Sequence, residues 1–77
     1  NSIMNVVNIS LISEFLNIED EKSVSSFDSL ADYQWDSLAM VVIQTHFSDV
    51  ADIEIDPDIL EKLETIGELD NFITKNL

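Results

Sequence analysis

Apolar side chains recur every three or four positions over the first sixteen residues of the chain. This spacing places them on one face of an amphipathic helix, which we predict from Ser2 to Leu16. The apolar face of this helix consists of Ile3, Met4, Val7, Leu11, Ile12, Phe15 and Leu16.

The following stretch, residues 17–34, is polar, rich in serine and acidic residues, and shows neither a helical nor a strand period. We therefore predict a long loop. Loops of this length in a small domain tend to be functional or to need anchoring residues. Phe27 and Leu30 are expected to be buried beneath the loop, and Tyr33 and Trp35 are further candidate anchors. A stacking platform is the less favoured role for Trp35.

Two apolar stripes run along the next predicted helix, from Ser37 to about Ala51. One stripe supplies the core candidates Met40, Ile43, Phe47 and Val50. The opposite stripe consists of Leu38, Val41, Val42 and Thr45. Because only one side of a helix can face the interior of so small a domain, we expect the second stripe to be an exposed partner surface. A helix buried on both sides is the alternative.

Two further helices are predicted in the last third of the chain. Pro57 suits the first position of a short helix, where its missing N–H would have no partner. Thr65 and Glu68 have the spacing of a capping box, within which Gly67 should weaken the last helix slightly. The apolar face of that helix is Ile66, Leu69, Phe72, Ile73 and Leu77. Residues 1–77 are thus expected to form one all-α domain, a small antiparallel bundle of three main helices with a short helix before the last and a long first loop.

The composition restricts the partners and the location. Sixteen acidic and three basic residues give a net charge of −13, which disfavours nucleic acids and anionic membranes and favours a positively charged protein partner. The charge could also serve only to keep the domain soluble. No apolar run approaches the roughly 20 residues of a membrane-spanning helix. With no cysteine and no visible secretory signal, a cytoplasmic monomer without membrane insertion is expected.

The remaining polar residues indicate neither a metal site nor a catalytic site. The acidic run at residues 49–58 lacks the glycine and the final glutamate of a calcium loop, so a solvated surface is expected. His46 has no second imidazole or cysteine to share a metal and is predicted to be a partly exposed helix residue. No nucleophile can be paired with a base, so we expect a protein without catalytic activity.

The triplet Asp-Ser-Leu occurs twice, with its serine at Ser29 and at Ser37. Ser37 follows Asp36, a good N-cap, and opens a predicted helix, where backbone N–H groups and the helix dipole favour an attached phosphate. The residues after Ser29 have no helical period, so that serine lacks the same support. Both could still be ordinary loop and helix-start residues, because a triplet is a short motif.

The complete pattern resembles an acyl carrier protein, a family that carries acyl groups as thioesters on a covalent 4′-phosphopantetheine arm. The resemblance rests on WDSLAMV at residues 35–41, IEI at 53–55 and LETIGELDNFI at 63–73. In this family the modified serine begins the second helix, and an acidic-apolar pair follows about 18 residues later. In this chain Ser37 lies 18 residues before Ile55. Ser29 lies 26 residues before Ile55. The resemblance therefore implies that Ser37 bears the arm.

The resemblance also implies partners and chemistry. A phosphopantetheinyl transferase would move the arm from coenzyme A to Ser37 with Mg²⁺, and Asp36 would help to hold the metal or the transferase. The loaded chain would present its thioester to acyl-loading and acyl-transfer enzymes with basic or apolar docking patches, as in fatty acid biosynthesis and lipid metabolism. The expected partner surface comprises Asp36, Leu38, Val41, Val42, Thr45 and Glu54.

Two departures from the family pattern indicate specialised partners. The glycine that often precedes the triplet is absent, its region being occupied by Gln34 and Trp35, and the second helix has no acidic residue between Ser37 and Ser48. Docking would then depend on the second apolar stripe more than on charge. An unmodified acidic adaptor that binds a partner helix through the same stripe is the alternative function.

Overall fold

The computed structural model describes residues 7–77, which fold into four α-helices. They are α1 (Ile9–Leu16), α2 (Ser37–Ala51), α3 (Pro57–Glu61) and α4 (Ile66–Asn76). Two 3₁₀ turns, Glu21–Ser23 and Leu30–Asp32, lie in the loop between α1 and α2. Strand-like pairing in the described part of the chain is limited to one isolated bridge. The predicted all-α bundle is therefore confirmed. None of the helices within residues 7–77 is long and apolar enough to cross a membrane.

The first helix begins at Ile9, two residues after Val7, which is 76% exposed. The prediction that Val7 belongs to the helix and to its apolar face is therefore wrong. Ile3 and Met4, which were predicted to lie on the same face, are outside the described residues. Asn8 precedes the helix, and its backbone and side-chain N–H groups donate to a carboxylate oxygen of Asp70 at 2.9 and 2.8 Å. The start of α1 is therefore fixed by a contact with α4.

All four helices and the long loop contribute to one hydrophobic core. Its most deeply buried side chains are Ile12, Leu30, Ile43, Phe47, Leu60, Ile66, Leu69 and Ile73. The prediction that Val50 belongs to this core is wrong, because Val50 is 64% exposed. Ser48 and Asp49 are exposed as well, so the last turn of α2 extends beyond the packed part of the bundle. At the other end of α2, Ala39 is buried and Met40 packs against the edge of the core.

The long loop is held against the start of α4 by backbone hydrogen bonds. The Leu30 N–H donates to the Glu64 carbonyl at 2.8 Å, and the Ile66 N–H donates to the Asp28 carbonyl at 2.9 Å. Leu30 is buried as predicted. The prediction that Phe27 is buried is wrong, since Phe27 is 76% exposed. It occupies the hydrogen-bonded turn just before Asp28, where its side chain points away from the core.

The start of α4 depends on a glycine and a cap. The Gly67 N–H donates to the Ser26 carbonyl at 2.8 Å, and a Cβ atom on Gly67 would lie 3.0 Å from that oxygen. Glycine therefore permits this close approach, although it weakens the helix. The capping box is formed only in part. Thr65 Oγ1 accepts from the Glu68 N–H at 3.1 Å, but the Glu68 carboxylate accepts from the Glu64 N–H at 2.7 Å instead of from that of Thr65.

A polar contact between Asp28 and Tyr33 closes the loop. The Tyr33 hydroxyl donates to Asp28 Oδ2 at 2.6 Å, and the same oxygen accepts from the Ser25 N–H at 2.9 Å. The hydrogen bond from Tyr33, and then that from Ser25, lowers the pKa of Asp28. The hydrogen bond to Asp28, together with partial burial, raises the pKa of Tyr33 from 10.0 to about 12.

Alkaline pH should destabilise the protein through Tyr33. A group whose pKa is raised on folding stabilises the fold fully below its unfolded pKa of 10.0, and this contribution is lost as the pH rises through about 12. We expect the free energy of unfolding to fall over that interval and Tyr33→Phe to lack this component of the decline. Urea unfolding at a series of pH values measures both. An equal decline in Tyr33→Phe would show that the contact is not coupled to folding.

Candidate functional site

The hydroxyl of Ser37 lies at the start of the 15-residue helix α2, and Ser37 is exposed. Asp36 precedes it in an extended conformation, and Asp36 Oδ1 accepts from the Ala39 N–H at 3.0 Å. The predicted N-cap is therefore confirmed. Because Asp36 supplies the cap, the Ser37 hydroxyl is not needed for capping and remains at the positive end of the helix dipole.

The other triplet uses the same residue types in opposite roles. Ser29 Oγ accepts a backbone hydrogen bond at 3.2 Å and caps the 3₁₀ turn Leu30–Asp32, which has only three residues. Asp28 bonds to Tyr33 instead of capping a helix, and Ser29 pairs with Thr65 in the isolated bridge. This triplet therefore attaches the loop to the start of α4, and its short turn offers no dipole comparable to that of α2.

An apolar surface continues from Ser37 along α2. Leu38, Val41 and Val42 are 71%, 53% and 41% exposed, and Thr45 is exposed at the next turn. Their spacing of three and four residues places them on neighbouring positions of the helix surface. We call these four residues the α2 patch. Their exposure excludes a helix buried on both sides, whereas their use as a partner surface stays a prediction.

A hollow of about 330 Å³ lies between the α2 patch and α1. Phe15 and Glu14 line it from α1, and His46 lines it from α2 beside Val42. His46 is half-buried, as predicted, and its ring meets that of Phe15 nearly edge to face, with centroids 5.2 Å apart. The histidine therefore packs against an aromatic ring, and the apolar surface of α2 continues onto α1.

Five acidic side chains lie toward the far end of α2 and in the segment that follows it. We call them the acidic segment: Asp49, Asp52, Glu54, Asp56 and Asp58, all of which are exposed. At 1.5 Å per residue, Asp49 lies about 18 Å along the helix from Ser37. The Ile55 carbonyl accepts from the Gln44 side chain at 2.8 Å, which fixes the segment against α2. Within residues 7–77, no three acidic or histidine side chains gather where they could hold a metal ion.

Trp35 and Tyr33 anchor the loop before α2, as predicted. Both are half-buried and pack against the core. The indole Nε1 of Trp35 is buried and has no hydrogen-bond partner among the described residues. Nothing in the sequence pattern indicated an unpaired donor two residues before Ser37.

Sequence reasoning also missed the contact between Asp70 and Asn8, which positions α1. Besides the two bonds from Asn8, the Asp70 carboxylate accepts from the Val7 N–H at 3.4 Å. A signal for it was present in the sequence. Asp70 lies four residues after Ile66 and three before Ile73, so an acidic side chain falls on the apolar face of the predicted helix.

The start of α2 is chemically suited to a phosphodiester. The N–H groups of the first residues of a helix have no partner within it, and Asp36 occupies only that of Ala39. The N–H groups of Ser37 and Leu38 are thus available to a negatively charged group, in addition to the helix dipole. The exposed hydroxyl of Ser37 provides the attachment point, so the residues fit such a group.

A small helical bundle with an exposed serine at the start of its second long helix has the architecture of a carrier domain. A model of the family described as the phosphopantetheine attachment site matches residues 9–73. The chain therefore belongs to this family, whose members carry covalently attached 4′-phosphopantetheine. Such carrier domains are generally non-catalytic and interact with phosphopantetheinyl transferases and acyl-processing enzymes. No solved structure matches the chain.

Proposed function

We propose that the Ser37 hydroxyl is the point at which the 4′-phosphopantetheine arm is attached. The observation that carries this assignment is the exposed hydroxyl at the first residue of α2, where Asp36 already supplies the helix cap. Ser29 has the same neighbours in sequence, but its hydroxyl accepts a backbone hydrogen bond and caps a turn of three residues. A phosphodiester on Ser37 gains more from the helix dipole than one on Ser29 would.

The attachment is a phosphoryl transfer from coenzyme A. Ser37 Oγ attacks the phosphorus next to the pantetheine group, forming a phosphoester bond while the pyrophosphate bond breaks. Adenosine 3′,5′-bisphosphate leaves, and a base of the transferase takes the hydroxyl proton. Asp36 uses Oδ1 for the helix cap, which leaves its other carboxylate oxygen for the transferase or its Mg²⁺.

The cargo is proposed to be an acyl or related group, held as a thioester on the thiol of the arm and presented to enzymes in succession. We expect these partners to be specialised ones and not those of general fatty acid synthesis. The support is the distribution of charge, because Asp49 is the only acidic residue in α2. Partners would contact the α2 patch and Asp36 near the arm, and would place basic groups opposite Glu54 and the rest of the acidic segment.

Mass spectrometry of the unmodified protein tests the carrier function. Incubation with coenzyme A, Mg²⁺ and a transferase of broad specificity should add the mass of one arm, and peptide fragmentation should locate it on Ser37. An arm found on Ser29 would overturn the site assignment. If no mass were gained by this protein while a known carrier was loaded in the same tube, the carrier function itself would be wrong.

Substitution of Leu38 tests the α2 patch. Leu38→Asp places a charge in the apolar surface next to Ser37 and should reduce kcat/KM for arm transfer at least tenfold, which corresponds to about 1.4 kcal/mol. Val50→Asp is the matched control, because it adds the same charge at another exposed apolar residue of α2. It should keep nearly full activity. Equal losses in the two variants would indicate a general effect of charge and not a docking surface.

A further inference from the structure

Two neighbouring hollows lie between α1 and α2. The hollow beside His46 has a volume of about 330 Å³, and a second one of about 280 Å³ lies nearer to the start of α2. Glu14, Phe15 and Val42 line both hollows, which therefore form one continuous depression. We call it the α1–α2 groove. Val42 also belongs to the α2 patch, so the groove borders the surface that begins at Ser37.

The α1–α2 groove extends over about two turns of α2. Leu38 lines the hollow near the start of the helix and Thr45 lines the other one. These positions are about 10 Å apart along the helix axis. Phe15 is only 6% exposed and forms the floor of the groove, whereas Leu38 and Val42 are largely accessible beside it. The groove thus offers accessible apolar surface at two places, about two helical turns apart.

One carboxylate lies where the two hollows meet. Glu14 is exposed and lines both of them, and Asp36 adds a second carboxylate at the end near Ser37. Neither α1 nor α2 contains a lysine or an arginine, so the walls of the groove supply no cation to these carboxylates. The net charge of −13 attracts a cationic partner further and opposes the binding of a second copy of this chain. The complementary group is therefore a positively charged side chain of another protein.

We propose that the α1–α2 groove binds a helix of a partner protein, which places an arginine opposite Glu14 and one apolar side chain in each hollow. Residues i and i+7 of a helix share a face and lie about 10 Å apart, which matches the spacing of the hollows. The arginine occupies position i+3 or i+4 between them, and its guanidinium group can donate two hydrogen bonds to the carboxylate. This inference extends the proposed partner surface from α2 onto α1 and rests on that part of the proposed function.

A synthetic helical peptide tests the groove on the unmodified protein. The probe carries leucine at positions i and i+7, arginine at i+4, and alanine and glutamine elsewhere. In nuclear magnetic resonance spectra of the ¹⁵N-labelled protein it should shift the amide signals of Glu14, Phe15 and Val42, and the ring signals of His46, the only histidine. A control peptide with glutamine in place of both leucines should produce no saturable shifts. Shifts confined to the acidic segment, equal binding of the two peptides, or no binding at millimolar concentration would overturn the proposal.

The variant Glu14→Gln isolates the charge in the groove and should weaken binding of the leucine–arginine peptide about fivefold. Glu61→Gln is the matched control, because it removes the same charge from an exposed glutamate of α3, outside the groove. It should weaken binding less than about twofold. Equal losses would show a general attraction by net charge and contradict the groove. These measurements need no arm, so their failure would leave the attachment at Ser37 intact, whereas failure to load Ser37 would contradict the proposed function.

Discussion

The variant Ser37→Ala should gain no arm when incubated with coenzyme A, Mg²⁺ and a phosphopantetheinyl transferase, whereas Ser29→Ala should be loaded completely. Ser37→Ala removes Oγ, the atom that is proposed to form the phosphoester bond. Ser29→Ala keeps Ser37 Oγ and loses only the hydroxyl that caps the three-residue turn Leu30–Asp32. Intact mass after a fixed incubation measures both results.

Stability provides the control for this comparison. Ser37→Ala should retain the cap of α2, because Asp36 provides it, and should unfold like the wild type. Ser29→Ala should lose about 1 kcal/mol, the usual value for removing a capping hydroxyl. Ser37→Ala should therefore lose loading and keep its stability, whereas Ser29→Ala should lose stability and keep loading. A loaded Ser37→Ala, or an unloaded but folded Ser29→Ala, would reverse the assignment of the two triplets.

Replacement of Asp70 by asparagine should be strongly destabilising. Asp70 Oδ1 accepts from both N–H groups of Asn8, and Oδ2 accepts from the Val7 N–H. An amide would present an NH₂ group to some of these donors, and it would remove a negative charge from the positive end of α1. Hydrogen bonds to charged groups contribute roughly 1.5–3 kcal/mol, so we expect a loss of about 2–3 kcal/mol.

This loss is large for so small a domain. At roughly 0.05–0.15 kcal/mol per residue, the total stability would be only about 4–12 kcal/mol. Urea unfolding followed by the fluorescence of Trp35 measures the difference. Asp49→Asn is the matched control, because it makes the same chemical change at an exposed acidic residue and should alter stability by less than about 0.5 kcal/mol. If both variants were equally stable, the Asp70 contact would contribute nothing measurable.

The features that the sequence predicted correctly depend on neighbouring residues. The period of apolar residues in α2 and the cap at Asp36 involve positions three or four apart. The helix starting at Pro57 is also a local feature. Such signals are present in any short window of the chain, so they could be found without knowledge of the fold.

The features that were missed or wrong depend on distant residues or on the ends of elements. Asp70 and Asn8 are separated by 62 positions, and no local pattern connects them. Phe27 was expected to be buried because it is an isolated apolar residue in a polar loop, but the turn that holds it is set by the pairing of the loop with α4. Val50 follows the correct period and is exposed because the bundle ends before the helix does.

The separation of the α2 patch from the acidic segment has a kinetic consequence for any partner that docks as proposed. Attraction between opposite charges acts over a distance and speeds the encounter, whereas apolar contact acts only after the surfaces meet. Added salt should therefore slow association with a basic partner while leaving the lifetime of the complex almost unchanged. Substitutions at Leu38 should shorten that lifetime at every ionic strength.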